Sequence, residues 1–238
     1  MSSTAVTGVA SETIQYVSDG ASLPAFLAHP TGTTAPMPGL LVLHEWWGLT
    51  DHTRDVARRF AQEGFAALAP DLYARQGSKV TQDPAEASKL MSGVSSQAIL
   101  RDVNAAIQFL KAKSYVEGRA LGIVGFSMGG MLALTQAAHN SDLKAAVCFY
   151  GKVPPVETFR YQLSPIQFHY PAKDGWVTSQ DVALLRQGFE KEGKPGEIHT
   201  YPEAQHAFFN NTRPEAYRAE DARLAWERTL QFLRRHLL

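Results

Sequence analysis

The sequence predicts an α/β fold with a mostly parallel central sheet and helices on both faces. Three observations lead to this prediction. A hairpin pattern opens the chain, short apolar runs then alternate with segments of helical periodicity, and turn residues separate the two kinds of segment. No repeat, low-complexity tract or linker divides the 238 residues. We therefore expect residues 1–238 to form a single domain, because this length suits one large α/β unit with a substantial core.

The first half of the chain supplies the hairpin and the first strand-helix alternation. Thr13 to Val17 and Leu23 to His29 flank Ser18-Asp19-Gly20, and an Asp-Gly pair between two such runs is typical of a hairpin turn. A loop rich in Pro, Thr and Gly follows at 31–39. The next predicted elements are a strand at Leu40 to Leu43, a helix at Asp51 to Glu63, a strand at Phe65 to Ala69 and a helix at Ser95 to Lys113.

The second half continues the alternation. The predicted elements are strands at Arg119 to Val124, Ala145 to Tyr150, Ile166 to His169 and Ile198 to Tyr201, and helices at Met131 to His139, from Thr178 towards Gly193, and at Glu215 to Leu238. Thr178 and Asp181 form a capping-box pattern at the start of one of these helices. Because chemistry gathers beyond the carboxyl ends of parallel strands, the residues that follow each strand are the candidates for function.

Charge and composition exclude several classes of function. Lys and Arg total 23, as do Asp and Glu, and no basic run or stripe occurs, so we expect no nucleic-acid partner. Met1 to Val6 lacks the basic start and apolar core of a signal peptide, and the apolar stretches are too short to cross a membrane. Cys148 is the single cysteine, so no internal disulfide is possible. We expect a cytoplasmic protein without a membrane partner.

Gly125-Phe126-Ser127-Met128-Gly129 is the most informative stretch, because it fits the G-x-S-x-G nucleophile elbow between a predicted strand and a predicted helix. A serine at such a turn exposes its hydroxyl. The start of the helix offers N–H groups and a positive dipole end to a developing oxyanion. The alternative is a Gly-rich turn that serves only tight packing. The context of strand and helix favours a nucleophile at Ser127.

An acid and a base follow later strands in the order that a serine hydrolase needs. Asp174 follows the strand ending at His169, and His206 follows the strand ending at Tyr201. Ser, Asp, His is the chain order of α/β-hydrolases. Alone, Asp174 is more typical of an ordinary turn, and His206 of a structural histidine. His44 and His169 also end strands, but neither follows the acid. We therefore predict that Ser127, Asp174 and His206 are catalytic.

The loop after the third strand, His44-Glu45-Trp46-Trp47-Gly48, supplies the remaining candidates. An α/β-hydrolase takes one oxyanion donor from this loop and another from the residue after the nucleophile, which predicts the amides of Trp46 and Met128. The two tryptophans are equally compatible with core packing and with the wall of an apolar pocket. H-E-x-x-H would need histidine where Gly48 stands, so no zinc motif is present.

These pieces together resemble the dienelactone hydrolase family (carboxymethylenebutenolidase-like) of α/β-hydrolases. The resemblance runs from about residue 20 to the C-terminus. Its motifs are His44-Glu45-Trp46-Trp47-Gly48-Leu49, Ala69-Pro70-Asp71-Leu72-Tyr73, Gly125 to Gly130, Tyr150-Gly151, Lys173-Asp174 and His206-Ala207-Phe208. It implies an α/β-hydrolase fold without a large cap domain, and neither a metal nor an organic cofactor. We expect Trp46, Trp47, Tyr150 and Phe208 to contact the substrate.

The chain departs from the family pattern in two respects. Family members commonly have cysteine at the nucleophile, where this chain has Ser127, and there a glutamate matching Glu45 helps form the thiolate. Serine does not ionise as readily as cysteine, so the role of Glu45 here is open. It orients Ser127, it polarises the pocket, or it has no role. The family also binds a substrate carboxylate with two arginines, whereas this chain has Pro84 and Asn210 near the corresponding positions. Arg75, Lys79 and Arg213 are alternative anchors, or merely surface charges.

The sequence therefore predicts a serine hydrolase that cleaves small carboxylic esters or lactones through an acyl-enzyme. Two alternatives remain open: a short-chain acyltransferase or peptidase that uses the same triad, and a non-catalytic ligand-binding module. The expected partner is a small-molecule ester or lactone. The expected assembly is a monomer or a small homo-oligomer.

Overall fold

The computed structural model describes residues 8–238. The expectation about Met1 to Val6 therefore lies outside the described residues. By their contacts, these residues group into two compact units, and the division falls between Leu121 and Gly122. The expectation of a single domain stays a prediction.

The eight strands are ordered β1-β2-β4-β3-β5-β6-β7-β8. Their bounds are β1 Gly8–Ser18, β2 Ala21–Thr31, β3 Met37–Leu43, β4 Ala66–Pro70, β5 Val116–Phe126, β6 Leu143–Phe149, β7 Ile166–Pro171 and β8 Gly196–Tyr201. The pairs β1–β2 and β2–β4 are antiparallel, whereas β3–β4, β6–β7 and β7–β8 are parallel. The predicted class, an α/β fold with a mostly parallel sheet, is confirmed.

Six α-helices connect or follow these strands within residues 8–238. They are α1 Asp51–Gln62, α2 Pro84–Ser92, α3 Ser96–Lys111, α4 Met128–His139, α5 Ser179–Glu192 and α6 Ala219–Leu237. Helix α2 was not predicted, nor were the short 3₁₀ turns at Ala74–Gln76 and Val156–Tyr161. No inserted cap domain interrupts the described elements.

In the first unit, the opening hairpin turns at the predicted Asp-Gly pair. Asp19 and Gly20 both have positive φ, +47° and +73°, as a two-residue hairpin turn requires. Helix α1 buries one face, formed by Val56, Ala57 and Phe60, and packs against β2 and β4. This burial follows from apolar residues at helical spacing, with charged residues on the other face.

In the second unit, the carboxyl ends of parallel strands present the loops that carry the predicted catalytic residues. Strand β6 pairs with β7 so that Phe149 lies opposite His169, and β7 pairs with β8 so that Pro171 lies opposite Tyr201. The loops after β6, β7 and β8 therefore leave the sheet at one edge. Helix α5 begins with the predicted capping box, in which Thr178 and Asp181 cap one another.

Candidate active site

Ser127 occupies a strained turn between β5 and α4. Its backbone has φ +51° and ψ −113°, a conformation that a residue with a side chain rarely adopts. The turn is tight, because a Cβ on Gly125 would lie 2.0 Å from the carbonyl oxygen of Gly129. A non-glycine residue in such a conformation is typical of an elbow that projects a nucleophile.

A second close approach explains why small residues surround the elbow. A Cβ on Gly130 would lie 2.9 Å from the sulfur of Cys148, and a Cβ on Gly151 would lie 2.5 Å from the carbonyl carbon of Gly130. Cys148 itself is fully buried, and burial raises the pKa of its thiol far above the ordinary value. The thiol is therefore a small apolar packing group beneath the elbow.

Ser127, His206 and Asp174 form a hydrogen-bonded chain in the second unit. The Nδ1 atom of His206 lies 2.7 Å from Oδ2 of Asp174, and Nε2 lies 2.9 Å from Oγ of Ser127. A carboxylate only accepts hydrogen bonds, so Nδ1 carries the proton. The Nε2 atom is then an acceptor for the serine hydroxyl. This is the arrangement in which an imidazole can remove the hydroxyl proton.

The loop after β7 holds Asp174 in place with its own backbone. Oδ1 of Asp174 accepts hydrogen bonds from the amides of Trp176 at 2.7 Å and Val177 at 3.1 Å. The Asp174 side chain is fully shielded from solvent, while the His206 side chain is one-third exposed. Both carboxylate oxygens are thus satisfied, and Oδ2 is aimed at the imidazole.

Two aromatic rings contact the imidazole of His206. The Tyr150 ring lies edge-on with its centroid at 5.0 Å, and the Trp176 ring lies edge-on at 5.4 Å. Trp176 is 36% exposed. Trp176 was not predicted from the sequence.

Tyr150 and Phe208, which were expected to contact substrate, are both fully buried, with their ring centroids 5.7 Å apart. Tyr150 has φ +41°, and Ala207 beside the base has φ +65°. Strained residues therefore flank the imidazole on both segments that reach it. This burial places Tyr150 as a support behind His206, and direct contact of either ring with substrate stays a prediction.

The rival base His169 is a satisfied core histidine. It is fully buried, and Nδ1 lies 2.8 Å from the hydroxyl of Tyr201, while Nε2 lies 3.0 Å from both Gln167 and Thr229. Burial, reinforced by His199 and Arg228, holds the pKa of His169 well below its ordinary value.

The other rival, His44, is also fully buried and structural in its contacts. Its Nε2 accepts a hydrogen bond from the Leu72 amide at 3.0 Å, and its Nδ1 lies 2.5 Å from the carbonyl oxygen of Glu45. Burial lowers the pKa of His44. It therefore braces the loop after β3 from within the first unit.

Within the first unit, the loop after β3 is firmly held. Trp46 and Trp47 pack edge-to-face with centroids 4.8 Å apart, and the Tyr73 hydroxyl donates to the Trp46 carbonyl at 2.9 Å. Gly48 has φ +90°, and a Cβ there would lie 2.3 Å from the carbonyl oxygen of Lys79. The loop is therefore rigid where the predicted oxyanion donor Trp46 lies, and that role stays a prediction.

Glu45, in the same loop, is only 4% exposed. A solvent-facing position, which would be expected if Glu45 had no role at the site, is therefore wrong. A buried carboxylate is typical of a group with a defined partner or task. Its supporting role toward Ser127 stays a prediction.

The candidate carboxylate anchors are all engaged with acids of their own. Arg75 makes two hydrogen bonds to Asp102, each of 2.8 Å. Lys79 pairs with Glu86 at 3.6 Å, and Arg213 with Glu215 at 2.8 Å. Pro84 is the first residue of α2, and Asn210 caps its own turn through Thr212.

Across 8–238, the His, Cys, Asp and Glu side chains form no group of three or more that could hold a metal ion. In the same range, every helix is too short or too polar to cross a bilayer.

Comparison with known proteins places the chain in a family. Residues 23–237 match the model of the dienelactone hydrolase family. A Yersinia pestis protein named "Putative carboxymethylenebutenolidase" is 34% identical over 233 residues, which cover 92% of this chain and 86% of that protein. A Bradyrhizobium protein named "Probable 2-oxo-3-(5-oxofuran-2-ylidene)propanoate lactonase" is 30% identical over 240 residues, covering 96% of each chain.

A solved structure agrees with these relatives. The crystal structure titled "Putative Dienelactone Hydrolase" from Klebsiella pneumoniae superposes with a TM-score of 0.90 at 33% identity, over 96% of this chain and 99% of that one. Family model, relatives and structure cover nearly the same residues. The chain belongs to the dienelactone hydrolase family.

Proposed function

We propose that this protein is a serine hydrolase that cleaves small carboxylic esters or lactones through an acyl-enzyme. One observation carries the proposal: Ser127 Oγ lies 2.9 Å from His206 Nε2, and His206 Nδ1 lies 2.7 Å from Asp174 Oδ2. Family membership supports a hydrolase of esters or lactones, and this geometry supplies a nucleophile, a base and an orienting acid.

The first half-reaction forms the acyl-enzyme. As Oγ of Ser127 bonds to the substrate carbonyl carbon, its proton passes to Nε2 of His206. The carboxylate of Asp174, which accepts the hydrogen bond of Nδ1, stabilises the imidazolium. When the tetrahedral intermediate collapses, the carbon–oxygen bond to the leaving group breaks and Nε2 returns the proton to the departing alkoxide.

The second half-reaction releases the acid. A water molecule gives a proton to Nε2 while its oxygen bonds to the acyl carbon. The bond to Ser127 Oγ then breaks and the serine recovers its proton. For a lactone, the leaving alkoxide is part of the acyl group, so it stays attached to that group through both half-reactions. The product is therefore a single hydroxy acid.

We propose that the amides of Met128 and Trp46 bind the oxyanion of both intermediates. Met128 is the first residue of α4, where the helix dipole is positive. Trp46 lies in the loop that supplies the second donor in α/β-hydrolases. Two such donors are commonly the largest single catalytic contribution, and losing one costs about 10²–10³-fold in kcat.

We further propose that the preferred substrate is uncharged at its acyl end. Family members bind a substrate carboxylate with two arginines, and this chain has Pro84 and Asn210 near those places. The alternative anchors Arg75, Lys79 and Arg213 each pair with an acid. We also retain the expectation of a single cytoplasmic domain, active as a monomer or a small homo-oligomer.

Active-site labelling and a substrate panel test the proposal together. A fluorophosphonate should label the wild-type protein at Ser127 and leave Ser127→Ala unlabelled. Hydrolysis should be measured with short p-nitrophenyl esters, neutral lactones and a dienelactone, and we expect the neutral substrates to have the highest kcat/KM. Labelling without turnover of any ester or lactone would instead indicate an acyltransferase or peptidase. No labelling would indicate a binding module.

A further inference from the structure

Lys152 joins the loop after β6 to the loop that carries Asp174. Its ammonium group donates to the carbonyl oxygen of Trp176 at 3.2 Å and to Oδ2 of Asp181 at 2.8 Å. Trp176 belongs to the turn whose amides bind Asp174 Oδ1. Through the Trp176 carbonyl, the lysine therefore holds the same turn that Asp174 holds through the Trp176 amide.

Asp181 fixes the position of the Lys152 ammonium group. Its side chain is 9% exposed, and Oδ2 also accepts hydrogen bonds from the Thr178 amide at 2.8 Å and the Thr178 hydroxyl at 2.9 Å. Burial alone would raise the pKa of Asp181, but the hydrogen bonds from Lys152 and Thr178 outweigh it and hold the pKa below the ordinary value. Asp181 is thus ionised at neutral pH and fixed to the start of α5.

The two loops that Lys152 joins are the two that support the imidazole. Tyr150, two residues before Lys152, packs its ring against His206, and Asp174 binds the imidazole Nδ1. Tyr150 is held at φ +41°, a strained conformation that persists only where its surroundings enforce it. The ammonium group is therefore placed where it can hold the Tyr150 segment and the Asp174 turn in fixed positions.

We propose that Lys152 is a positioning residue, which acts through the Asp181 ion pair to hold the Asp174 turn and the Tyr150 segment against His206. This inference rests on the proposed serine hydrolase function. Lys152 does not touch the imidazole or the nucleophile, so its effect passes through the geometry of the Asp174–His206 hydrogen bond. Displacing a catalytic group by about 1 Å can reduce turnover by roughly 10²-fold.

The test compares Lys152→Met, Lys152→Arg and Asp181→Asn with a matched control, Lys173→Met. Lys173 is also close to Asp174, but it pairs with the exposed Glu203 at the surface. Exposed ion pairs contribute little, so Lys173→Met should leave kcat unchanged. For Lys152→Met we expect kcat to fall about tenfold or more with KM within threefold of wild type, and Lys152→Arg should recover part of the loss.

A spectroscopic readout separates positioning from general stability. The proton that His206 Nδ1 shares with Asp174 should give a downfield resonance in the proton NMR spectrum of the wild type. We expect that resonance to weaken or shift in Lys152→Met and in Asp181→Asn, and to stay unchanged in Lys173→Met. All rates are to be measured at temperatures well below each variant's unfolding transition.

Three results would overturn the proposal. The first is wild-type kcat in Lys152→Met, and the second is an unchanged downfield resonance beside a reduced kcat. The third is a rise in KM for anionic substrates alone, which would make Lys152 a substrate contact. The resonance also keeps this test distinct from that of the proposed function, because the His206–Asp174 bond can be observed even in a protein that hydrolyses nothing.

Discussion

The backbone amide of Ser127 donates a 2.9 Å hydrogen bond to the carbonyl oxygen of Phe149, so the last residue of β6 fixes the turn that ends β5. The strained backbone of Ser127 is therefore maintained by the sheet and not by the serine alone. A nucleophile held in this way has little freedom to move, which favours a constant distance to His206.

The elbow should not tolerate a methyl group at Gly125. In Gly125→Ala the new Cβ would lie 2.0 Å from the Gly129 carbonyl oxygen, which no real structure accommodates without moving the start of α4. We expect lost fluorophosphonate labelling and a lower unfolding midpoint. Gly175→Ala is the matched control, because a Cβ there meets nothing within 4 Å, and it should label normally. Normal labelling of Gly125→Ala would show that the turn is looser than described.

Asp174→Asn should lower kcat by several orders of magnitude, roughly 10⁴-fold by analogy with other triads, while the fold is kept. The amide retains an oxygen for the amides of Trp176 and Val177, but it cannot both hold that turn and accept the proton of His206 Nδ1 with the charge of a carboxylate. Steady-state kinetics together with circular dichroism check this expectation. Activity within tenfold of wild type would remove Asp174 from the catalytic set.

Acid should destabilise this protein through its buried histidines. The folded state holds the pKa of His169 well below its unfolded value, so the folded protein binds fewer protons than the unfolded chain at mildly acidic pH. The stability that neutral His169 contributes is present above about pH 6.5, the unfolded value, and is lost as pH falls below it. His44, lowered in the same direction by burial, adds to the effect.

Urea unfolding at pH 7.5 and pH 5.5 measures how steeply the free energy of unfolding changes with pH. This slope cannot exceed about 1.4 kcal/mol per pH unit for each histidine. His169→Gln should be less stable at pH 7.5, because the contacts to Tyr201 and Thr229 are disturbed, yet it should lose less stability on acidification. His139→Gln is the control, since His139 is exposed and its replacement disturbs no buried contact. If the free energy of unfolding fell equally steeply with pH in His169→Gln and in the wild type, His169 would not be a source of the acid sensitivity.

The three triad residues could be predicted from the sequence because each follows a strand, and the carboxyl ends of parallel strands lie at one edge of a sheet. Trp176 and Lys152 could not, because their contacts depend on the register that sets Phe149 opposite His169. No local pattern encodes that register. The burial of Glu45 likewise depends on how its loop folds back within the first unit.

Helix α2 was not predicted, although the sequence contains signals for its start. Asp83 caps the helix by accepting a hydrogen bond from the Ala85 amide, and Pro84 occupies the first helical position. The segment has a weak apolar pattern, with only Ala87 and Leu90 buried, so periodicity did not indicate it. The closing helix begins at Ala219 and not at Glu215, because a turn through Tyr217 precedes it.

The Ser127→Cys variant gives the sharpest test of Glu45. Family members place a glutamate where its carboxylate helps form a thiolate, and Glu45 is buried in the matching loop. If the arrangement is retained, a thiol at position 127 should titrate well below its reference pKa of about 8.5 and react quickly with iodoacetamide near pH 7. The wild type supplies the baseline, because its Cys148 is fully buried with a raised pKa and should not react.

The double variant Ser127→Cys with Glu45→Gln then separates Glu45 from the other groups near the thiol. His206, at 2.9 Å from the present serine oxygen, also favours a thiolate, so the single variant alone does not implicate the glutamate. Slower alkylation in the double variant, with a higher pH midpoint, would show that the Glu45 carboxylate contributes to forming the thiolate. Identical alkylation profiles in the two variants would leave the triad and the oxyanion donors as the whole catalytic apparatus. Glu45 would then be only a buried support for the loop after β3.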